Sequence, residues 1–260
     1  MASVERSILA QKPAGVRRIS PLLLAESLAI LSVVFTAAIA AYFFASNHLP
    51  IGPGAIISAA ILLLVIFAIV VLALPQHGHR RFGYANVVTA IRAAIVCIVG
   101  GTVFFARTVY QFDPAMWWLV ALVCTALALD GVDGYLARRF GHESELGARF
   151  DMEVDALLIL ILSAAAFLLA NVGWWVLLIG LMRYGFILAQ YPLPQLRAPM
   201  PASFRRKLIC VVQIGALCVI LTPLVSPLQS SATAAIALAL LCYSFAVDTA
   251  DLLRHRDEAA

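Results

Sequence analysis

Asp130 and Asp133 lie three residues apart in this chain, and Asp151 and Asp155 lie four apart. Spacings of three and four return side chains to one face of a helix, so each pair can present two carboxylates in the same direction. The stretch from Leu129 to Leu157 holds seven of the fourteen acidic residues (Asp130, Asp133, Glu143, Glu145, Asp151, Glu153 and Asp155) in a sequence that is 63% hydrophobic and 12% charged. Four carboxylates converging in a low-dielectric setting repel one another strongly, and divalent cations bound between them would remove that penalty. All-oxygen ligation favours Mg²⁺, Mn²⁺ or Ca²⁺ over zinc. Gly134 lets a ligand approach the backbone closely. Arg138, one turn further on, can reach a phosphate held by the same ions. Gly147, four residues before Asp151, leaves room for close helix packing. Carboxylates, divalent metal, arginine and glycine together point to phosphoryl-type transfer.

The elements that must position these residues are transmembrane helices. The mean hydropathy of +0.97 is far above that of a soluble domain. Eight apolar runs are expected to span a bilayer, at Pro21–Ser46, Ile51–Leu74, Tyr84–Ala106, Met116–Leu136, Leu146–Ala170, Gly173–Tyr191, Leu208–Val225 and Ala232–Val247. Backbone groups in lipid must be satisfied within the segment, so the fold class is an all-α integral membrane protein. Nothing is left over for a soluble domain, and no signal peptide stands out. Residues 1–20 form a polar, basic N-terminal segment, 21–75 a pair of additional transmembrane helices, 82–251 a six-helix unit, and 252–260 a tail. The linker Pro75–Gly83 separates the first pair of spans from the six that follow, and Pro192–Lys207, with four prolines, reads as a long loop.

Fifteen of the eighteen basic residues fall on alternate connections, and the opposite connections carry only Arg107. The positive-inside rule then puts both termini and the acidic stretch on the cytoplasmic side. The net charge of +4 reflects that sidedness and is no nucleic-acid footprint. The five cysteines lie inside apolar spans at no metal-ligand spacing, and the five histidines form no triad pattern with serine or cysteine.

The spacing Asp130-x2-Asp133-Gly134-x2-Ala137-Arg138-x8-Gly147-x3-Asp151-x3-Asp155 resembles, at every fixed position, the signature of the CDP-alcohol phosphotransferase family, also called the CDP-alcohol phosphatidyltransferase family. Outside it, Asn86-x2-Thr89-x2-Arg92 is similar to the family's first core helix, and Lys207 with Gln213 to a looser pattern in its fifth. The resemblance implies transfer of a substituted phosphate group from a CDP-linked donor, usually CDP-diacylglycerol, to the hydroxyl of an acceptor alcohol, with release of CMP. It implies two Mg²⁺ or Mn²⁺ ions held by Asp130, Asp133 and Asp151, with Asp155 beside them as general base. Gly134, Ala137, Arg138, Asn86 and Thr89 would line the CDP site, and Gly147 would let the helices pack. It further implies a homodimer, in phospholipid synthesis, in a bacterial inner membrane.

Arg92 and Arg183 lie within spans, each about eight residues or roughly 12 Å from the cytoplasmic end. An arginine at that depth is usually paired or functional. The expected role is binding a phosphate of the acceptor, by Arg183 with Arg205 or Arg206 and with Arg92 in the same layer. That role favours a phosphorylated polyol such as glycerol 3-phosphate or an inositol phosphate as acceptor, with serine, inositol or choline as alternatives. Glu153 is out of phase with Asp151 and Asp155 and is left out of the site. A cation transporter would show repeated halves and helices broken near the midplane. Here the acids occur once, near one surface.

Overall fold

The computed structural model describes residues 20–77, 79, 81–105, 113–140, 144–170, 172–192 and 204–257, with backbone alone for 113, 133–140, 204, 207 and 251–257. Residues 1–19, Arg107 and most of the Pro192–Lys207 loop lie outside the described residues. Eight α-helices are present among the described residues and no strand: α1 (Pro21–Ser46), α2 (Pro53–Ala73), α3 (Tyr84–Phe105), α4 (Asp113–Phe140), α5 (Glu145–Leu169), α6 (Leu177–Ala189), α7 (Phe204–Ile220) and α8 (Pro227–Asp257). Six of them are long and apolar enough to cross a membrane, and two further apolar helices, Trp174–Ala189 and Leu208–Ile220, are shorter. Large apolar side chains such as Leu64, Ile69 and Leu72 on α2 face outward, as a hydrocarbon surround requires. The chain is a multi-pass membrane protein.

Helix starts are written in the sequence. Ser20 accepts the Leu23 N–H at 3.1 Å ahead of Pro21, and Ser144 accepts the Gly147 N–H at 3.0 Å at the head of α5. Ser226 and Gln229 cap α8 reciprocally: the Ser226 N–H donates to Gln229 Oε1 at 3.0 Å, and the Gln229 N–H donates to Ser226 Oγ at 3.4 Å. Two helices overrun their apolar runs. α4 starts at Asp113 and continues to Phe140, and α8 continues to Asp257. Hydropathy marks where lipid ends, whereas the backbone ladder stops only where a cap or breaker ends it.

α3 is the hub, packed by α1, α2, α4 and α5, while α5 also meets α6 and α7, and α8 closes over α6 and α7. Small buried residues on α3 (Ala90, Ala93, Ala94, Gly100, Gly101) let its neighbours approach closely. A side chain at Gly101 would run into the Ala55 carbonyl of α2, and Tyr42 of α1 meets Thr102 Oγ1 at 2.7 Å. The segment between the first pair and the rest is itself folded into the bundle. His77 and Phe82 are buried, His77 Nε2 lies 2.7 Å from the Arg81 carbonyl, and Gly83 turns with φ of 84°. Gln213 of α7 is fully buried and donates to the Ala237 carbonyl of α8 at 2.7 Å.

Candidate active site

Asp130 sits on α4 and Asp151 and Asp155 sit one turn apart on α5. The fold brings carboxylate oxygens of all three within 4.8 Å of one another. The i, i+4 spacing on α5 works as the sequence requires, because both carboxylates face α3. There they meet Arg92, whose side chain is 1% exposed. Its Nη1 donates to Asp151 Oδ1 and lies 3.3 Å from Asp130 Oδ1, its Nη2 donates to Asp155 Oδ1, and its Nε donates to the Ala126 carbonyl at 3.2 Å. The exposures of Asp130, Asp155 and Asp151 are 14%, 21% and 37%. Arg92 thus forms a buried floor beneath carboxylates that open outward. Cys210 of α7 closes one side, its Sγ 3.8 Å from Asp155 Oδ2.

Three carboxylates at this spacing are a fitting donor set for a hard divalent cation, since each retains acceptor capacity beyond the bonds to Arg92. Asp133, Gly134, Ala137 and Arg138 continue the same helix, α4, and their side chains lie outside the described residues. Gly147 lies against α3. A Cβ there would stand 2.6 Å from Asn86 Oδ1 on α3, so the head of α5 and α3 touch through this glycine. Asn86 and Thr89 are buried about two turns and one turn before Arg92, with Asn86 Nδ2 donating to the Phe82 carbonyl at 2.5 Å and Thr89 Oγ1 to the Ala85 carbonyl at 3.0 Å.

The four arginines grouped by the sequence divide into three sets. Arg92 belongs to the aspartates. Arg183 of α6 donates to Glu153 of α5 at 2.6 Å, and its Nε is buried with no hydrogen-bond partner among the described residues. Arg205 and Arg206 at the head of α7 share Asp248 of α8, at 2.5 and 3.3 Å, and Arg205 also donates to the Ser244 carbonyl at 2.9 Å. Two partners escaped sequence reasoning. Glu153 points away from Asp151 and Asp155, and that same phase difference aims it at α6. Asp248 sits just past the expected end of the last span, so it was not treated as an acid within the membrane.

A model of the CDP-alcohol phosphatidyltransferase family matches residues 82–246, which takes in the whole carboxylate site and leaves α1 and α2 outside. Proteins named "Probable phosphatidylglycerophosphate synthase" from Mycobacterium tuberculosis, strains CDC 1551 / Oshkosh and ATCC 25618 / H37Rv, are each 29% identical over 181 residues, covering 67% of this chain and 85% of the relative. No solved structure matches. With three of the four signature aspartates converged in a helical membrane bundle and the family match spanning them, the chain belongs to the CDP-alcohol phosphatidyltransferase family, transferases of phospholipid synthesis that move a phosphatidyl group from a CDP-linked donor.

Proposed function

We propose that the protein transfers a phosphatidyl group from CDP-diacylglycerol to glycerol 3-phosphate, releasing CMP, with an inositol phosphate as the next acceptor in order. The convergence of Asp130, Asp151 and Asp155 within 4.8 Å carries the reaction class. The phosphatidylglycerophosphate synthase relatives favour glycerol 3-phosphate among phosphorylated polyols. Asp130, Asp133, Asp151 and Asp155 would hold two Mg²⁺ or Mn²⁺ ions. Bound there, the metal supplies positive charge against the donor's diphosphate.

The chain's own residues do the rest. Arg138, Gly134 and Ala137 on α4, with Asn86 and Thr89 on α3, line the nucleotide side. Asp155 accepts the proton of the acceptor hydroxyl as its oxygen forms a bond to the lipid-linked phosphorus and the phosphorus–oxygen bond to CMP breaks. Arg183, with a buried Nε available, and the Arg205–Arg206 pair at the head of α7 bind the acceptor's phosphate. Arg92 is committed to the three aspartates and takes no direct part in acceptor binding. The site faces the cytoplasm, where the basic connections lie and CMP is soluble. Residues 82–251 form the catalytic domain as a homodimer, with residues 21–75 as an added helical pair.

CMP release by the purified protein tests this, using CDP-diacylglycerol, Mg²⁺ or Mn²⁺, and glycerol 3-phosphate, inositol phosphate, inositol, serine or choline. Release stimulated by glycerol 3-phosphate and abolished by Asp155→Asn is expected. Stimulation by serine, inositol or choline alone would refute the acceptor reading. Absence of CDP-diacylglycerol binding would refute the donor.

A further inference from the structure

We infer that Arg92 is the built-in counter-charge of the carboxylate cluster, a positioning residue that substitutes for the divalent cation in its absence and opposes its binding. The inference rests on the metal reading given above. One guanidinium, 1% exposed, reaches Asp130, Asp151 and Asp155 from below, and these are the same three residues whose oxygens converge closely enough for a cation.

Without Arg92, three carboxylates on two helices would face one another under partial burial, which drives them apart. With Arg92, their formal charge falls from three negative to two, and Nε anchors the guanidinium to the Ala126 carbonyl of α4. The cluster therefore stays assembled when empty. The same arrangement costs metal affinity, because the guanidinium occupies an oxygen of Asp151 and of Asp155 and adds a like charge beside the incoming ion. Coupling of this kind is reciprocal: the part of Arg92's contribution to the metal-free state that is given up when the ion enters is subtracted from metal binding.

The test is Mn²⁺ affinity by titration, with thermal unfolding in EDTA and in Mn²⁺, for wild type and Arg92→Met purified in Mn²⁺. Arg92→Met should bind Mn²⁺ about tenfold more tightly or better, within the usual range of site–site coupling. It should also lose stability in EDTA far more than in Mn²⁺. The double variant Arg92→Met with Asp130→Asn restores the formal charge of the cluster, so its stability in EDTA should recover towards wild type. That comparison stands even where the single variant does not fold without metal. A folded Arg92→Met that binds Mn²⁺ no more tightly than wild type would overturn the inference, as would a double variant no more stable in EDTA than the single one. Wild type that binds no Mn²⁺ would instead refute the metal reading itself.

Discussion

Replacing Gly147 by alanine tests whether the contact between α5 and α3 sets the geometry of the carboxylates. The new Cβ would stand 2.6 Å from Asn86 Oδ1 and 3.0 Å from Ser144 Oγ. Asn86 is buried, and its amide nitrogen is tied to the Phe82 carbonyl at 2.5 Å, so it cannot swing aside without losing that bond. Relief to an ordinary contact of 3.4 Å therefore requires a shift of about 0.8 Å, taken up between the head of α5 and α3. Asp151 lies one turn further along α5, and its partner Arg92 lies on α3, so the shift separates them. Overpacking of this kind costs about 1–3 kcal/mol, offset by at most about 1 kcal/mol from alanine's helix propensity. A displacement approaching 1 Å in a positioned site can lower turnover by about 10–100-fold. Thermal unfolding in detergent and CMP release would read the two effects. Gly215→Ala is the control, because nothing lies within 4 Å of a Cβ there and the propensity gain is the same. Wild-type turnover and an unchanged unfolding midpoint in Gly147→Ala would refute the reasoning, as would identical behaviour of the two variants.

Asp155→Asn should retain nucleotide binding better than turnover, measured by CDP titration beside CMP release, and equal loss of both would make Asp155 chiefly a ligand. Tyr42→Phe should lower stability by about 1 kcal/mol, the usual net value of one neutral hydrogen bond. Thr102 Oγ1 already donates to the Ile98 carbonyl at 2.8 Å, so Tyr42 must be the donor to Thr102, and its loss strands no buried donor. Asp248→Asn should raise KM for the phosphorylated acceptor with little change in kcat, since it loosens Arg205 and Arg206 without touching the aspartates; unchanged KM would count against their acceptor role. Arg149→Ala should leave stability within about 0.5 kcal/mol of wild type, because its pairing with Glu145 is surface-exposed.

The fold class was legible because apolar runs of bilayer length admit only helices, and the aspartates because helical spacing fixes which residues share a face. Both inferences need only the local chain. Arg92 shows the limit. Its depth in a span marked it as paired or functional, yet nothing local chooses between an acceptor phosphate and carboxylates 38 to 63 residues away along the chain. Asp248 was legible in principle, as an ionisable residue at the edge of a span, and was missed because hydropathy ended that span at Val247 while the helix ran on to Asp257. The linker reading of Pro75–Gly83 followed from its composition, and the burial of His77 and Phe82 could not be inferred from it.

The added N-terminal pair and the site depend on one element. α3 carries Arg92 nearer its start, beneath the carboxylates. Gly101 and Thr102 lie nearer its end, where α2 and α1 dock. Tyr42 extends that docking to α4, stacking on Trp118 with ring centroids 6.2 Å apart. α4 in turn carries Asp130 and supplies the Ala126 carbonyl to Arg92. The pair outside the family match therefore clamps together two of the three helices that bring charged groups to the cluster. A tight cluster of like charges needs such rigidity, because each carboxylate gains by moving away from the others, and packing on the helices resists that motion together with the bonds from Arg92.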